Sequence, residues 1–132
     1  MVKILLVDDD AIALRMLEDY IQEALAEIKS PLPPIQIIQA RCEGETDAIE
    51  AISKEQPDIL FLDYTLMQGT GAEVAKWVDS EYHKPVKVAT HTLRFIDDAR
   101  ALFSGTSCVT HFLGISERRK KIEIFLRECL IG

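Results

Sequence analysis

Cysteine, positive charge, long apolar runs and glycine-rich loops are all scarce in this sequence. The three cysteines, Cys42, Cys108 and Cys129, cannot form a closed set of disulfides and lack metal-ligand spacing. This excludes a disulfide scaffold and a zinc module, and favours reduced thiols in a cytosolic protein. The 15 basic residues are outnumbered by 22 acidic ones, and the resulting net charge of −7 argues against nucleic-acid binding.

Membrane spans and nucleotide-binding loops are missing as well. The first apolar run is far too short for a signal peptide or a transmembrane helix, and acidic residues follow it at once. The turn after this run also lacks the Gly-x-Gly-x-x-Gly pattern of flavin- and dinucleotide-binding proteins. With 132 residues, 48% hydrophobic and 28% charged, the chain is expected to be one globular, cytoplasmic domain.

Strand and helix patterns alternate five times along the chain. Aliphatic and β-branched runs predict strands, and apolar residues at helical spacing predict the helices between them. The predicted strands are Lys3–Val7, Ile35–Ile38, Asp58–Leu62, Val86–Thr90 and Val109–Leu113. The predicted helices are Ala11 to about Ile28, one that opens at Gly44 and is stopped by Pro57, and others at about Ala72 to Tyr82, Ile96 to Phe103 and Glu117 to Leu130. This order predicts an α/β fold with a central parallel sheet.

Carboxylates directly follow two of the predicted strands. Asp8, Asp9 and Asp10 come after the first strand, and Asp63 comes after the third. Open α/β sheets place their sites beyond the carboxyl ends of the strands, so these acids would converge if the two strands are neighbours. Such a cluster requires a counter-cation, and an oxygen-rich crevice suits Mg²⁺. Helix capping explains the triplet alone, and a turn explains Asp63 alone; their pairing favours a site.

An ordered set of short motifs covers the whole chain. In sequence order they are Val7-Asp8-Asp9, Gly44-Glu45 with Ala48-Ile49, Pro57 to Asp63, Gly71 eight residues after Asp63, and Pro85 to Thr90. Together they resemble the receiver domain of two-component response regulators, as in chemotaxis regulators. The resemblance implies a doubly wound, five-stranded, flavodoxin-like (βα)5 fold over residues 1–132, with the site at the carboxyl edge of the sheet.

The resemblance also implies roles for particular residues. Asp63 would accept a phosphoryl group as an acyl phosphate. Mg²⁺ would be held by Asp8, Asp9 and Asp63, with the backbone carbonyl of Thr65. Thr90 would donate a hydrogen bond to a phosphoryl oxygen; an ordinary β-branched strand residue is the alternative. Such a domain is no enzyme beyond catalysing its own phosphorylation and dephosphorylation.

The fifth strand departs from the family pattern. The lysine that binds the phosphoryl group in the family is missing from the range 105–113. An ungapped alignment puts Phe112 in its place, and one deletion puts His111 there. His111 could replace part of the charge, because a nearby dianion favours protonated imidazole, or it could have no phosphate contact. His91 stands where the family prefers a small residue, and would either shade the acyl phosphate from water or point into solvent.

Three functions compete on this basis. The first is a stand-alone receiver, phosphorylated by a histidine kinase or phosphotransfer protein and signalling through protein–protein contacts. The second is a pseudo-receiver that binds proteins without phosphorylation, which the missing lysine favours and the acids oppose. A phosphatase of the haloacid dehalogenase type would need an aspartate two residues after Asp63, where Thr65 stands.

A run of four basic residues, 118–121, opens the last predicted helix. Such a run is either a solvated face or a docking patch for an acidic partner. In receivers the face made by the fourth helix, the fifth strand and the last helix binds partners or a second copy. The resemblance therefore implies an unidentified downstream protein, or a homodimer, at this face.

Overall fold

The computed structural model describes residues 1–64, 66, 69–91, 103, 105–114 and 117–131. The strands are β1 (Val2–Asp8), β2 (Ile35–Arg41), β3 (Ile59–Asp63), β4 (Lys87–His91) and β5 (Val109–Leu113). The helices in the described residues are α1 (Ala11–Glu27), α2 (Glu45–Glu55), α3 (Gly71–Glu81) and α4 (Arg118–Leu130). The fourth predicted helix, Ile96–Phe103, lies outside the described residues except for Phe103.

All five strands are parallel and lie in the order β2-β1-β3-β4-β5. From β1 the chain first forms β2 at one edge of the sheet. It then returns to form β3 on the opposite side of β1, so the direction of winding reverses between β1 and β3. In doubly wound sheets, ligands bind beyond the carboxyl ends of the strands at this reversal. The predicted fold class, a doubly wound five-stranded parallel sheet, is confirmed.

The two central strands are buried because helices cover both faces of a parallel sheet. The runs Ile4–Val7 and Ile59–Leu62 are at most 2% exposed. At the edge, β2 continues to Arg41 rather than ending at Ile38 as predicted. In its last three residues the polar side chains of Gln39 and Arg41 are exposed, so the apolar sequence pattern ends before the strand does. The predicted bounds of β5 match the observed ones.

Two hydrophobic cores lie on the two faces of the sheet. One packs α1 and α4 against Ile4, Leu6 and Phe61, and the rings of Phe61 and Phe125 meet edge to face with centroids 5.3 Å apart. The other packs α2 and α3 against the side chains that alternate with these on the same strands. Along the described parts of the chain, no helix combines the length and hydrophobicity that crossing a membrane requires.

Candidate functional site

The carboxyl ends of three adjacent strands bring Asp8, Asp63 and His91 together. Asp8 is the last residue of β1, Asp63 of β3 and His91 of β4, and Asp63 is paired with His91 in the sheet register. One ligand atom from each side chain lies within 4.8 Å of the other two. The structure thus places the predicted acids of β1 and β3 in one crevice and adds a histidine that the sequence left unassigned.

Asp8 is a buried carboxyl group at the centre of this crevice. It is 5% exposed, and its Oδ1 accepts a hydrogen bond of 2.9 Å from the backbone N–H of Asp10. Burial raises the pKa of Asp8 to about 6, against this backbone hydrogen bond and helped by hydrogen bonding and repulsion from Asp9. Asp10 itself caps α1, since its Oδ1 accepts a 2.8 Å bond from the N–H of Ile12. An anionic Asp8 is therefore costly without a cation beside it.

His91 points into the crevice, so the predicted alternative that it faces solvent is wrong. It is 5% exposed, its Nε2 lies 3.2 Å from the carbonyl oxygen of Val7, and its Nδ1 lies 3.6 Å from Oδ2 of Asp8. A carbonyl oxygen only accepts hydrogen bonds, so Nε2 carries the proton. Burial, aided by the positive charge of Arg118, lowers the pKa of His91 to about 4. The neutral ring therefore presents the lone pair of Nδ1 to the carboxylates.

Arg118, the first residue of α4, brings a positive charge to the same crevice. Its Nε donates a 3.1 Å hydrogen bond to the carbonyl oxygen of Gly114. Burial lowers the pKa of Arg118, while Tyr20 and the carboxylates of Asp63 and Asp8 oppose that shift by attraction. The guanidinium of this half-buried side chain therefore interacts electrostatically with both acids of the crevice.

The basic run at the start of α4 is divided rather than uniformly solvated. Arg118 interacts with the acids of the crevice, whereas the guanidinium of Arg119 pairs with α1, at 3.0 Å from Glu23 and 3.6 Å from Glu27. In the sequence the run has the character of a single surface feature, which is why Arg118 is absent from the predicted site. The start of a helix that follows the fifth strand lies near the carboxyl edge of the sheet, but this position is common to the whole basic run and does not distinguish Arg118 from Arg119.

The loop after β3 is fitted closely to the backbone of Asp63. A β-carbon on Gly71 would overlap the carbonyl oxygen of Asp63, and the N–H of Gly71 donates a 2.7 Å hydrogen bond to the carbonyl of Tyr64. The carboxylate of Glu45, in the first turn of α2, accepts a 3.0 Å bond from the N–H of Thr70. Only glycine allows this close approach, which explains the Gly71 of the motif set.

Thr90 is fully buried on β4, one residue before His91. In the register of the sheet it is level with Leu62, the residue before Asp63. Within the described part of the chain, its Oγ1 has no hydrogen-bond partner. A buried hydroxyl left unpaired costs about 1–3 kcal/mol, so this group is suited to a ligand that supplies an acceptor.

His111, the residue of β5 that the sequence suggested, is not level with the crevice. It is level with Ala89, two positions before the pair formed by His91 and Leu113. Its Nε2 lies 2.7 Å from Oε2 of Glu128, and its Nδ1 lies 2.8 Å from Oγ1 of Thr110. The structure brings Leu113, not His111, level with the site on β5.

The remaining predicted metal ligands are placed differently from Asp8 and Asp63. Among the described residues, the group within mutual ligand distance does not include Asp9, whose backbone carbonyl accepts a 3.1 Å bond from Arg41. Thr65 lies outside the described residues. Two carboxylates that converge with a third donor nonetheless fit a divalent cation, since Mg²⁺ in proteins is held by one or two carboxylates and completes its shell with water.

Sequence comparison relates the chain to longer regulators. No protein-family model matches it. The transcriptional regulatory protein BtsR of Escherichia coli (strain K12) is 33% identical over 85 residues, which is 64% of this chain and 31% of BtsR. BtsR of Salmonella typhi gives the same identity and coverage. The chain thus spans about a third of the length of the curated relatives it matches.

Structural comparison covers almost the whole chain. A CheY-like response regulator receiver domain from Methylobacillus flagellatus superposes with a TM-score of 0.74 at 19% identity, over 98% of both chains. Chemotaxis protein CheY4 of Vibrio cholerae gives 0.73 at 20% identity, over 98% of this chain and 99% of CheY4. The receiver domain of a DNA binding response regulator from Colwellia psychrerythraea gives 0.76 at 16% identity, over 97% of both. The chain has the fold of response regulator receiver domains.

Proposed function

We propose that this receiver-fold protein is a response regulator receiver that accepts a phosphoryl group on Asp63 with a divalent cation, Mg²⁺ in the first instance. The observation that carries the proposal is the convergence of the Asp8 and Asp63 carboxylates at the carboxyl ends of β1 and β3. Beside them lie the positive charge of Arg118 and, on β4, the hydroxyl of Thr90, which has no hydrogen-bond partner among the described residues. Together these groups provide a nucleophile, metal ligands, a counter-charge and a hydrogen-bond donor.

In the proposed reaction, a carboxylate oxygen of Asp63 attacks the phosphorus of a phosphohistidine on a kinase or phosphotransfer protein. The new P–O bond forms an acyl phosphate while the P–N bond breaks, and the leaving imidazole takes a proton from water. A cation held by Asp8 and Asp63, with Asp9 and the carbonyl of Thr65 as further candidate ligands, would neutralise the developing negative charge. The side chains contribute positioning and charge rather than acid–base chemistry.

Two residues are proposed to hold the phosphoryl group after transfer. Thr90 would donate a hydrogen bond from its hydroxyl to a phosphoryl oxygen, and so give a partner to a buried group that has none in the part of the chain that the structure describes. Arg118 would supply the positive charge that the family resemblance places on the fifth strand. His111, the candidate from the sequence, is bonded to Thr110 and Glu128 instead, which supports Arg118 for this role.

The decisive experiment is phosphorylation by acetyl phosphate. The protein, with and without Mg²⁺, is incubated with acetyl phosphate and analysed by intact-protein mass spectrometry. We expect a mass gain of one phosphoryl group that requires Mg²⁺ and is lost in Asp63→Asn. Asp58→Asn is the matched control, because Asp58 directly precedes the same strand at its other end and pairs with Lys84 at 3.1 Å. Labelling that survives in Asp63→Asn would refute the assignment.

A pseudo-receiver, which binds proteins independently of phosphorylation, is the second candidate. The observation in its favour is Leu113, a 1% exposed apolar residue at the position of β5 that is level with the site. Absence of labelling by acetyl phosphate, combined with absence of Mg²⁺ binding in calorimetry, would establish this alternative. Labelling of Asp63 excludes it.

The proposed partners follow from the receiver function. We propose a histidine kinase or phosphotransfer protein as phosphoryl donor, in the cytoplasm. Output would pass to a downstream protein, or to a second copy of the chain, at the face that includes β5 and α4. Arg118 links this face to the crevice, because the side chain that interacts with Asp63 belongs to the first turn of α4.

A further inference from the structure

We infer that His91 is a metal ligand through Nδ1, and that the site prefers a first-row transition dication, such as Mn²⁺ or Co²⁺, over Mg²⁺. This rests on the metal site of the proposed function and specifies its ion. The ligand set would be one nitrogen from His91 and carboxylate oxygens from Asp8 and Asp63, whose ligand atoms lie within 4.8 Å of one another.

The orientation of the His91 ring supports this inference. Metal-binding histidines almost always donate the N–H of the other ring nitrogen to a carbonyl or carboxylate, which fixes the tautomer. Here Nε2 lies 3.2 Å from the carbonyl oxygen of Val7. Nδ1 is therefore the unprotonated nitrogen, and it faces Asp8 at 3.6 Å. Two lone-pair donors that face each other at this distance repel unless a cation lies between them.

The backbone of His91 is also fixed within the sheet. The side chain is 5% exposed and sits at the end of a strand paired to β3, so its backbone is held beside Asp63. Arg118 also approaches the crevice, but a guanidinium interacts with carboxylates from outside and offers no lone pair to a metal.

The third ligand atom is a nitrogen rather than an oxygen, and this decides which metal ion the site prefers. Mg²⁺ is a hard cation that takes oxygen ligands and keeps several waters, so it gains little from an imidazole. First-row transition dications accept imidazole nitrogen together with carboxylate oxygen, and their affinity for such a site rises from Mn²⁺ through Co²⁺ to Cu²⁺. A receiver-like pair of acids joined by His91 is therefore better matched to these ions than to Mg²⁺.

The chain contains three histidines, which makes a spectroscopic test specific. His111 is held by Glu128 at 2.7 Å, and His83 is exposed after α3. Pulsed EPR of the Mn²⁺ complex detects a directly bound imidazole nitrogen through its ¹⁴N coupling. We expect this coupling in the wild-type protein, its loss in His91→Asn, and its retention in the matched controls His83→Asn and His111→Asn.

Calorimetry with Co²⁺ and Mg²⁺ provides the second readout. The His91→Asn substitution replaces the ring nitrogen by an amide whose oxygen can still bind a hard cation. We expect the Co²⁺ affinity to fall at least about 10-fold, because mutation of even a hydrogen-bonding partner of a metal ligand typically costs that much. The Mg²⁺ affinity should change by less than about 3-fold, since Mg²⁺ prefers oxygen.

The inference is overturned if the wild-type Mn²⁺ complex shows no ¹⁴N coupling, a result that does not depend on any variant folding. It is also overturned if His91→Asn lowers the affinities for Co²⁺ and Mg²⁺ equally. Acetyl phosphate labelling of Asp63 in Mg²⁺ judges the receiver function separately. A protein that shows the coupling but is never labelled keeps this metal site and loses the proposed function.

Discussion

Replacing Asp8 by asparagine should stabilise the metal-free protein, even though Asp8 is proposed to be essential for metal binding. The carboxyl group is 5% exposed, lies next to Asp9 and Asp10, and has its pKa raised to about 6. Its ionised form is therefore less favourable in the folded protein than in the unfolded chain. Asparagine keeps an oxygen that can accept the hydrogen bond from the N–H of Asp10 and removes the charge.

The magnitude follows from the pKa. A shift from 3.8 to about 6 is about two units, and at 1.36 kcal/mol per unit the ionised carboxylate costs about 3 kcal/mol of folding stability above pH 6. The folded state binds more protons than the unfolded state between these two values, so the contribution falls as pH rises through that window. Asparagine matches the protonated carboxyl group only approximately, so the expected gain of Asp8→Asn is about 2 kcal/mol at pH 7.5.

His91 acts in the opposite direction over nearly the same range. Its pKa is lowered from 6.5 to about 4, so between these values the unfolded chain binds more protons and stability rises with pH. In the wild-type protein the two contributions oppose each other, and the profile between pH 4 and 6 should be nearly flat. In Asp8→Asn the contribution of His91 remains alone, and stability should rise with pH.

Urea unfolding in EDTA at pH 4, 5, 6 and 7.5 measures this directly. The free energy of unfolding of Asp8→Asn minus that of wild type should be near zero at pH 4 and should grow to about 2 kcal/mol at pH 7.5. With saturating Mg²⁺ the order should reverse, because the cation stabilises only the form that binds it. A variant that is less stable than wild type in EDTA at pH 7.5, or a difference independent of pH, would refute the electrostatic reasoning.

Three further substitutions test the rest of the site. Gly71→Ala should destabilise the protein by about 1–3 kcal/mol in urea unfolding, because the added β-carbon would overlap the carbonyl oxygen of Asp63. Gly105→Ala, which has open space around it, should change stability by less than about 0.5 kcal/mol. Equal effects of the two substitutions would contradict the close approach of Gly71 to Asp63. Thr90→Val should raise stability by about 1 kcal/mol while shortening the lifetime of the acyl phosphate, measured by mass spectrometry after removal of acetyl phosphate. Arg118→Gln should slow phosphorylation and strengthen Mg²⁺ binding in calorimetry, and Arg119→Gln should do neither, so a similar response of the two variants would remove Arg118 from the site.

The sequence was sufficient to predict the sheet and the acidic part of the site. Buried parallel strands are continuous apolar runs, so Ile4–Val7 and Ile59–Leu62 identify themselves, and a residue that directly follows such a run lies at the edge of the sheet. Asp8 and Asp63 could therefore be placed at that edge from the apolar pattern alone. The same logic applied to His91, but a sequence pattern does not indicate which way a strand-end side chain turns.

Arg118 could not be assigned from the sequence for a different reason. The four consecutive residues at the start of the helix all have long, positively charged side chains, so the local sequence does not indicate which of them reaches the site. What separates Arg118 from Arg119 is the rotation of α4 against its neighbours: one guanidinium interacts electrostatically with Asp63 and Asp8, and the next pairs with Glu23 and Glu27 of α1. That rotation is set by tertiary packing of residues such as Phe125 on Phe61.

The assignment on β5 depended on a feature with no sequence signal. Val88 pairs with Val109, but Ala89 pairs with His111, so Thr110 is an extra residue in the strand. Without this irregularity, Thr90 would be level with His111. The bulge moves His111 back by one position and brings Leu113 level with His91 and Asp63. Since a one-residue slip also turns each side chain to the other face, alignment alone could not decide which residue of this strand faces the site.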